Sequence, residues 1–395
     1  LFVCLFVCLF VCLFVCLFAC LFIPFLGNRV SYYYYIFINR YSIVDSQSPS
    51  ILVRSRKSPG IIVGLRVVDV LFPVAKGQRE LIIGDRQSGK STIWLCSQIS
   101  QLSQNAYQCR RRKILSVGSM IGGRLSTSVR FSRMFGRVGA RNFTALLLAG
   151  VTDSMGSQFV GNLAGTAVAE NSRNRGTHHQ AAYDDLSKHA VAYRQMCLFL
   201  RKPAGREAYP SDVFYLHARL LERSCNLGKI GSAGSLMSLP IIETLNNDLS
   251  AYIATNVISI TDGQLYLDLG LFGTGQCPAV STEKSVSRVG AKSLDHVSRS
   301  TAFQLYGIVG QIRQEQDSVN KSDGYNFRFS KFKKFMAALI QRSAQNKFLS
   351  GQLLLGIHLG TISSLSPHLL GIFSMGISTL SHDSFGDSRS LVSRN

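Results

Sequence analysis

The amino-acid sequence predicts an α/β fold built on a parallel β-sheet, and two observations carry this prediction. Between about residues 61 and 290, short apolar runs alternate with longer mixed segments. Strands that are separated by connections of helix length form βαβ units, and these units build parallel sheets. In addition, one apolar run leads directly into a complete phosphate-binding loop of the pattern G-x-x-x-x-G-K-[ST]. Such a loop joins a strand to a helix within this kind of sheet.

Five apolar runs are predicted to be strands. They are residues 80–83, 114–117, 145–148, 213–216 and 257–260. A helix is predicted to begin near Gly89, directly after the loop. Residues 177–182 make a poor strand core, because they lack aliphatic side chains larger than alanine. After Gly290 the chain becomes rich in Ser, Gln and Lys, and residues 353–355 and 369–372 are predicted to form short helices.

The phosphate-binding loop is the segment that says most about function. It consists of Gly84, Asp85, Arg86, Gln87, Ser88, Gly89, Lys90 and Ser91. Its glycines allow successive backbone N–H groups to point at phosphate oxygens, and the following helix adds the positive end of its dipole. Lys90 is expected to reach the β- and γ-phosphates, and the Ser91 hydroxyl is expected to bind Mg²⁺. The chain therefore binds a nucleoside triphosphate or descends from a protein that did.

A second part of such a site is an acidic residue at the end of another strand, which holds the water shell of the magnesium ion. Asp184 and Asp185 are the candidates, about ninety residues after the loop. The neighbouring His178 and His179 are interpreted as surface histidines rather than metal ligands, because no further ligand lies at a suitable spacing.

The charge balance is strongly basic, with 43 Lys and Arg against 22 Asp and Glu and a net charge of +21. Between Arg86 and Thr152 there are eleven basic residues and no acidic residue. Such a stretch is typical of proteins that bind nucleic acid, an anionic membrane or acidic partner subunits. It is also compatible with a surface that has no particular partner.

Ten cysteines do not indicate a disulfide framework or a zinc site. Five of them belong to the repeat Leu-Phe-Val-Cys, which runs from Leu1 to Cys20, and the other five are scattered without C-x-x-C spacing. This usage fits a reducing compartment. The repeat is long and apolar enough to span a bilayer, but it lacks the basic region of a signal peptide. We interpret it as a non-native extension rather than as a membrane anchor.

Several blocks of the sequence resemble the alpha-subunit family of F-type ATP synthases. They come in family order and lie at residues 68–69, 77–90, 184–195, 205–210, 212–217, 220–223, 256–264 and 285–290. The block around the loop reads Gly-Gln-Arg-Glu-Leu-Ile-Ile-Gly-Asp-Arg-Gln-Ser-Gly-Lys, and the last block reads Ser-Val-Ser-Arg-Val-Gly. The resemblance is specific over residues 58–103 and 183–290. It is weak over 104–182 and 291–395 and absent before residue 58.

The resemblance implies three parts of the chain. Residues 58–300 would form a RecA-like P-loop nucleotide-binding domain, and residues 301–395 would form a degraded C-terminal helical region. Residues 1–57, the apolar repeat and a linker, would stand where the family has an N-terminal β-barrel, so that domain is expected to be missing.

The resemblance further implies a non-catalytic subunit of the F1 sector of a proton-driven ATP synthase, which holds ATP and Mg²⁺ without turning the nucleotide over. It would assemble with beta and gamma subunits in a heterohexameric ring, peripheral to the mitochondrial inner membrane on the matrix side, or alternatively to the plastid thylakoid. The implied cofactor-binding residues are the loop residues 84–91 with Thr92, Phe272 and Gln352. Ser91 and Asp184 would hold Mg²⁺, with Asp184 acting through water.

The catalytic roles also follow from the resemblance. After residues 114–117, where a catalytic subunit carries a glutamate, this chain has Gly118 and Ser119 and no acid until Asp153. Hydrolysis at its own site is therefore expected to be very slow. Arg288 would project into the neighbouring beta subunit as an arginine finger. Ser119 replaces the Gln of alpha subunits, and Cys277 replaces an Arg near the nucleotide.

The sequence alone is also compatible with two other functional hypotheses. The basic stretch favours a RecA-type ATPase that translocates along nucleic acid, although the chain lacks an RNP-like aromatic motif and the catalytic glutamate, so nucleic acid is not the expected partner. The repeat and the missing barrel favour a non-functional gene fragment. Co-purified beta and gamma subunits, co-purified nucleic acid, or the absence of a stable product would separate the three.

Overall fold

The computed structural model describes residues 42–55, 58–107, 113–228, 231–244, 247–273, 277–294, 299–300, 302–303 and 305–307. The Leu-Phe-Val-Cys repeat, Gln352 and both predicted C-terminal helices lie outside these residues. Within the described ranges, no helix combines the length and the apolar character needed to cross a membrane.

The core of the fold is a seven-stranded sheet with the strand order β5-β4-β6-β7-β3-β8-β9. Neighbouring strands are parallel except β9, which runs antiparallel to β8. The strands are β3 (Glu80–Gly84), β4 (Ile114–Gly123), β5 (Thr144–Gly150), β6 (His178–Asp184), β7 (Ser235–Glu243), β8 (Gly263–Leu267) and β9 (Val286–Ser287). Strands β1 (Gly60–Ile61) and β2 (Val74–Ala75) form a separate antiparallel pair. The predicted α/β fold with a parallel sheet is confirmed.

Helices cover both faces of this sheet. They are α1 (Arg66–Leu71), α2 (Lys90–Tyr107), α3 (Leu125–Val138), α4 (Met155–Arg173), α5 (Leu186–Phe199), α6 (Val213–Glu222), α7 (Tyr252–Ile260) and α8 (Leu269–Gly273). Ile82 of β3 packs with Trp94 of α2 in one core cluster, whereas its neighbours Leu81 and Ile83 pack with the α4–α7 side in the other. This alternation is the period-two pattern of a strand that is buried on both faces.

Two of the five strand predictions are wrong, because residues 213–216 and 257–260 lie in helices α6 and α7. The buried residues of α6 are Val213, Leu216, His217, Leu220 and Leu221, which is the spacing of one helix face. The short windows read as strands contain β-branched and aromatic residues, and the helical period becomes visible only over the full ten residues of α6.

The polar segment before the aspartate pair is a strand. β6 lies between β4 and β7 near the middle of the sheet, and His179 and Gln180 are buried in it. The interpretation of both histidines as surface residues is therefore wrong for His179. His178 is half-buried, and its Nδ1 lies 2.9 Å from the Ser235 hydroxyl. This segment forms a strand because β4 and β7 pair with it on both sides, and its own side chains have little preference for a strand.

Residues 42–55, predicted as part of a linker, pack on the nucleotide-binding domain. The Arg223 guanidinium donates to the Val44 carbonyl at 2.8 Å, and the Ser46 hydroxyl donates to Glu170 at 2.7 Å. Further along, the Gly228 N–H donates to the Val53 carbonyl at 2.8 Å. These contacts join the segment to α4 and to the region after α6.

Candidate nucleotide-binding site

The phosphate-binding loop connects β3, which ends at Gly84, to α2, which begins at Lys90. The backbone is left-handed at Gln87 (φ 62°) and at Gly89 (φ 92°). An added Cβ at Gly89 would meet no atom within 4 Å, so the glycine is required by the backbone conformation rather than by crowding. The predicted order of strand, loop and helix is confirmed.

Asp85 fixes the loop to the rest of the sheet. Its buried carboxylate accepts a hydrogen bond from the Thr244 hydroxyl at 2.7 Å and bonds from the Asn247 N–H at 3.0 Å to each oxygen. Both partners follow β7, the strand beside β3. Because the Asp85 side chain is engaged with the protein, this residue serves the site by holding the loop backbone in place.

Lys90 lies across the mouth of the loop. Its ammonium donates to the carbonyls of Gly84 at 2.9 Å and Asp85 at 2.5 Å. Burial lowers the pKa of this ammonium below its usual range, while nearby carboxylates, Glu243 foremost, act in the opposite direction. A cation that is held only by neutral carbonyls within the loop is placed to bind an anionic ligand.

Ser91 and Asp184 come together from two different elements. The Ser91 hydroxyl, in the first turn of α2, donates to the Asp184 carboxylate at the end of β6 at 2.9 Å. Burial raises the pKa of Asp184, and the hydrogen bond from Ser91 opposes this shift. The adjacent Asp185 instead accepts from the Ser187 N–H at 2.9 Å and caps α5. Burial raises the pKa of Asp185 to about 6.

This pair of oxygen groups fits magnesium. Mg²⁺ is commonly bound by one or two protein oxygen ligands together with phosphate oxygens and water. The described residues contain no group of three or more His, Cys, Asp or Glu that could hold a metal ion without such a phosphate. The donor set therefore suits a metal that arrives with the nucleotide.

Glu243 is a residue of this site that sequence reasoning missed. It ends β7, and its carboxylate is paired with the Arg86 guanidinium of the loop. The Ser187 hydroxyl lies 3.3 Å from the Glu243 N–H. The signal that could have found it is an acid directly after the apolar run of residues 239–242. That run is not among the five predicted strands.

The carboxyl end of β4 carries no acid. Met120 pairs with Asp184, so β4 ends at Gly123 about level with the start of the loop, and Arg124 follows it. Ser119 is buried, and its hydroxyl has no hydrogen-bonding partner among the described residues. The described carboxylates at this edge of the sheet include those of Asp184 and Asp185 after β6 and of Glu243 on β7, besides Asp85 in the loop.

The remaining predicted binding residues are only partly brought to this edge. Thr92 is exposed in the first turn of α2. Phe272 is 47% exposed on α8, which begins shortly after β8 ends at Leu267, the strand partner of Gly84. Phe272 therefore lies on the loop side of the sheet. Gln352 lies outside the described residues.

Arg288 lies near the amino-terminal end of β3, whereas the loop lies at the carboxyl end of that strand. It follows Ser287, which pairs with Gly263, and Gly263 in turn pairs with Glu80 at the start of β3. The five residues of β3 separate this level from Gly84 by about 13 Å at about 3.3 Å per residue. The Arg288 side chain is exposed, and its guanidinium makes no ion pair with the described residues.

Comparison with known proteins identifies this architecture. The model of the ATP synthase alpha/beta family, nucleotide-binding domain, matches residues 64–287. The chain belongs to this family. Its ATP synthase nucleotide-binding domain thus contains the loop, β6 and Ser287, and the resemblance stated from the sequence is confirmed.

Curated relatives give the same answer for the subunit type. The chain is 48% identical over 284 residues to ATP synthase subunit alpha of Neorickettsia sennetsu, covering 71% of this chain and 56% of that protein. It is 43% identical over 300 residues to the mitochondrial ATP synthase subunit alpha of Trypanosoma brucei brucei, covering 76% and 51%. The chain spans about half the length of these ATP synthase relatives.

Proposed function

We propose that this chain is an alpha-type subunit of the F1 sector of a proton-driven ATP synthase that binds Mg-ATP without hydrolysing it. In this proposal it supplies Arg288 to a neighbouring beta subunit, in a ring that also contains a gamma subunit. The observation that carries the proposal is the loop itself. Lys90, Ser91 and Asp184 converge at its mouth, while β4 ends without a carboxylate.

Binding follows from the groups at the loop. The left-handed backbone at Gln87 and Gly89 turns N–H groups toward the ligand, and Lys90 exchanges its carbonyl partners for phosphate oxygens. Ser91 would hold Mg²⁺ directly and Asp184 would hold it through water, and the ion would neutralise phosphate charge. Phe272 and Thr92 are the described side chains proposed to contact the nucleotide, together with Gln352.

The proposed lack of ATP turnover follows from the absence of a carboxylate on β4. Activation of the attacking water requires a base within hydrogen-bonding reach of it. On β4, the strand beside Asp184, positions 118–123 supply only small or apolar residues. Asp184 is bound to Ser91, Asp185 caps a helix and Glu243 is paired with Arg86, so each of these carboxylates is already engaged.

The trans role of Arg288 is supported by its position. The Arg288 backbone lies about one strand length from its own loop and the side chain is exposed, which favours a role outside its own site. Its planar fork is suited to a phosphoryl group on a neighbouring subunit.

The mitochondrial relative supports a mitochondrial location, and we place the subunit on the matrix side of the inner membrane, peripheral to it.

The binding part of the proposal is tested with the full-length chain, by titrating Mg-ATP into the wild type and into Lys90→Ala. We expect the affinity to fall at least tenfold, about 1.4 kcal/mol, because the charge facing the phosphates is lost. Lys202→Ala is the matched control, since Lys202 is exposed and its ion pair within the described ranges is with Asp212, at 3.7 Å. ATP turnover by the beta-free chain should remain near the background rate. Unchanged binding by Lys90→Ala, or steady turnover, would contradict the proposal.

A further inference from the structure

The outward face of α3 carries a row of arginines that the nucleotide site does not use. Arg130, Arg133 and Arg137 follow at i, i+3 and i+7, which places them on one stripe of the helix. Arg124 precedes the helix and Arg141 follows it, and all five side chains are exposed.

These arginines have no acidic partner within the part of the chain that the structure describes. None of them takes part in an ion pair, and the sequence has no acidic residue between Asp85 and Asp153. Like charges at helical spacing repel one another. The stripe is therefore a surface on which an anionic partner would gain from charge complementarity.

The stripe is not purely charged. A shallow groove of about 700 Å³ runs along it, and its apolar lining comes from Leu125, Val129 and Met134. Leu125 is 71% exposed and Val129 is 39% exposed. Met and Arg are among the residues enriched in protein–protein interfaces. An occupant of this groove would need carboxylates for the arginines and apolar side chains for the groove.

We propose that the outward face of α3 is a docking surface for an acidic, amphipathic segment of a partner protein. A helix with glutamates at i, i+3 or i+4 and i+7, and with leucines beside them, has the matching pattern. A second copy of this chain does not fit, because its net charge of +21 would repel the stripe. This proposal does not depend on the assignment of the nucleotide site.

The other two anionic partners fit less well. Membrane insertion needs bulky apolar groups, but Phe131 and Phe135 of α3 point inward and contact Trp94, with ring centroids 6.2 and 5.3 Å apart. Single-stranded nucleic acid is bound by aromatic side chains on which bases stack, and the stripe presents none. Both are therefore outcomes that the experiment must be able to reveal.

The test uses the full chain and a labelled synthetic helical peptide with glutamates and leucines on one face. Binding is measured by fluorescence anisotropy. The triple variant Arg130→Ala, Arg133→Ala, Arg137→Ala should weaken binding at least tenfold. The control triple Arg201→Ala, Arg206→Ala, Lys292→Ala removes the same charge from exposed positions elsewhere and should change it less than about twofold. Val129→Ser removes no charge and should still weaken binding about threefold or more, because it removes apolar contact.

Several results would overturn the proposal. One is an equal loss of affinity in both triple variants, since binding would then follow net charge alone. Another is full affinity in Val129→Ser, since the groove would then not be used. A third is tighter binding, through the same three arginines, of single-stranded RNA or of phosphatidylglycerol-containing vesicles. Alanine is a strong helix former, so the exposed substitutions preserve α3, and circular dichroism checks this.

Discussion

At the scale of single residues, Asp184, which accepts a hydrogen bond from Ser91, allows the contribution of magnesium to nucleotide binding to be measured apart from that of the phosphates. Asp184→Asn keeps the shape of the side chain but removes the charge that would face the ion. We expect the affinity for Mg-ATP to fall about tenfold and the affinity for ATP in EDTA to change much less, because Lys90 and the loop backbone remain. Isothermal titration in both buffers measures the difference.

Asp248→Asn is the control for this prediction, because Asp248 is exposed and its hydrogen bonds to described residues go to Ser250. Equal losses for Asp184→Asn with and without magnesium would show that Asp184 has a structural role only.

The residues of the site divide into those that local sequence predicts and those that it does not. Lys90 and Ser91 could be placed because the loop motif is contiguous and its conformation is local. Glu243 and Asn247 could not, because they reach the loop only through the pairing of β7 with β3. Nothing within either segment specifies which strand lies beside which.

At the scale of elements, the turn after β9 depends on the close approach of Gly290 to Pro73. An ideal Cβ on Gly290 would lie 1.6 Å from the Pro73 carbonyl oxygen, so any side chain must push the backbone away. We expect Gly290→Ala to destabilise the protein by about 1–3 kcal/mol, as overpacking does. Urea unfolding of the full chain measures this.

Gly136→Ala is the matched substitution in α3, where an added Cβ would meet nothing within 4 Å. It should stabilise the protein by about 0.5–1 kcal/mol, because alanine is the better helix former. Similar effects of the two substitutions would show that the Pro73 contact is not the reason for the glycine at position 290.

A helix or strand could be predicted where the spacing of its apolar residues and the length of the apolar run indicated the same kind of element. The run at 80–83 is bounded by the loop motif, so β3 was found, whereas Val257 and Ile260 belong to a helix face that starts at Ile253. β8 (Gly263–Leu267) was missed because it follows this helix after only two residues. β6 was undervalued because its burial comes from β4 and β7 rather than from its own apolarity.

At the scale of the whole molecule, buried histidines make stability depend on pH. Burial lowers the pKa of His179 and His217 to about 3 and that of His189 to about 4, from an ordinary value of 6.5. Between these values the unfolded chain binds protons at these three histidines that the folded chain does not, so their contribution to stability falls as pH decreases below about 6.5. Replacing His217 by Gln should reduce this slope by up to about 1.4 kcal/mol per pH unit.

Asp69 has the opposite effect on the pH dependence of stability and serves as a control for the histidines. Burial raises its pKa from 3.8 to about 7, although the Val63 and Gly64 N–H groups bond to its carboxylate. The folded chain then binds the extra proton, so this group favours folding at low pH and its contribution is lost as pH rises through 7. Asp69→Asn should therefore steepen the rise of stability with pH, where His217→Gln flattens it. Urea titrations at several pH values measure both slopes.

The assembled complex provides the test of Arg288. In a complex reconstituted with beta and gamma subunits, Arg288→Ala should leave the ATP affinity of this chain nearly unchanged and reduce turnover by about 10³-fold or more. Arg288→Lys should restore little, because an ammonium cannot make the planar two-point contact. Loss of the chain's own binding, or wild-type turnover, would make Arg288 a local structural residue.

Strand β3 has a consequence for such a complex. One end of the strand is the loop, and at the other end Arg79 holds Asp262 through its N–H at 3.0 Å and its guanidinium at 2.8 and 3.1 Å. The carbonyl of Asp262 in turn accepts the Arg288 N–H at 3.0 Å. All five residues of β3 are buried, so the strand between these two ends is closely packed on both faces. In the proposed ring, the five residues of β3 would connect the phosphate-binding loop of this subunit, through Arg79 and Asp262, with the arginine that faces its neighbour.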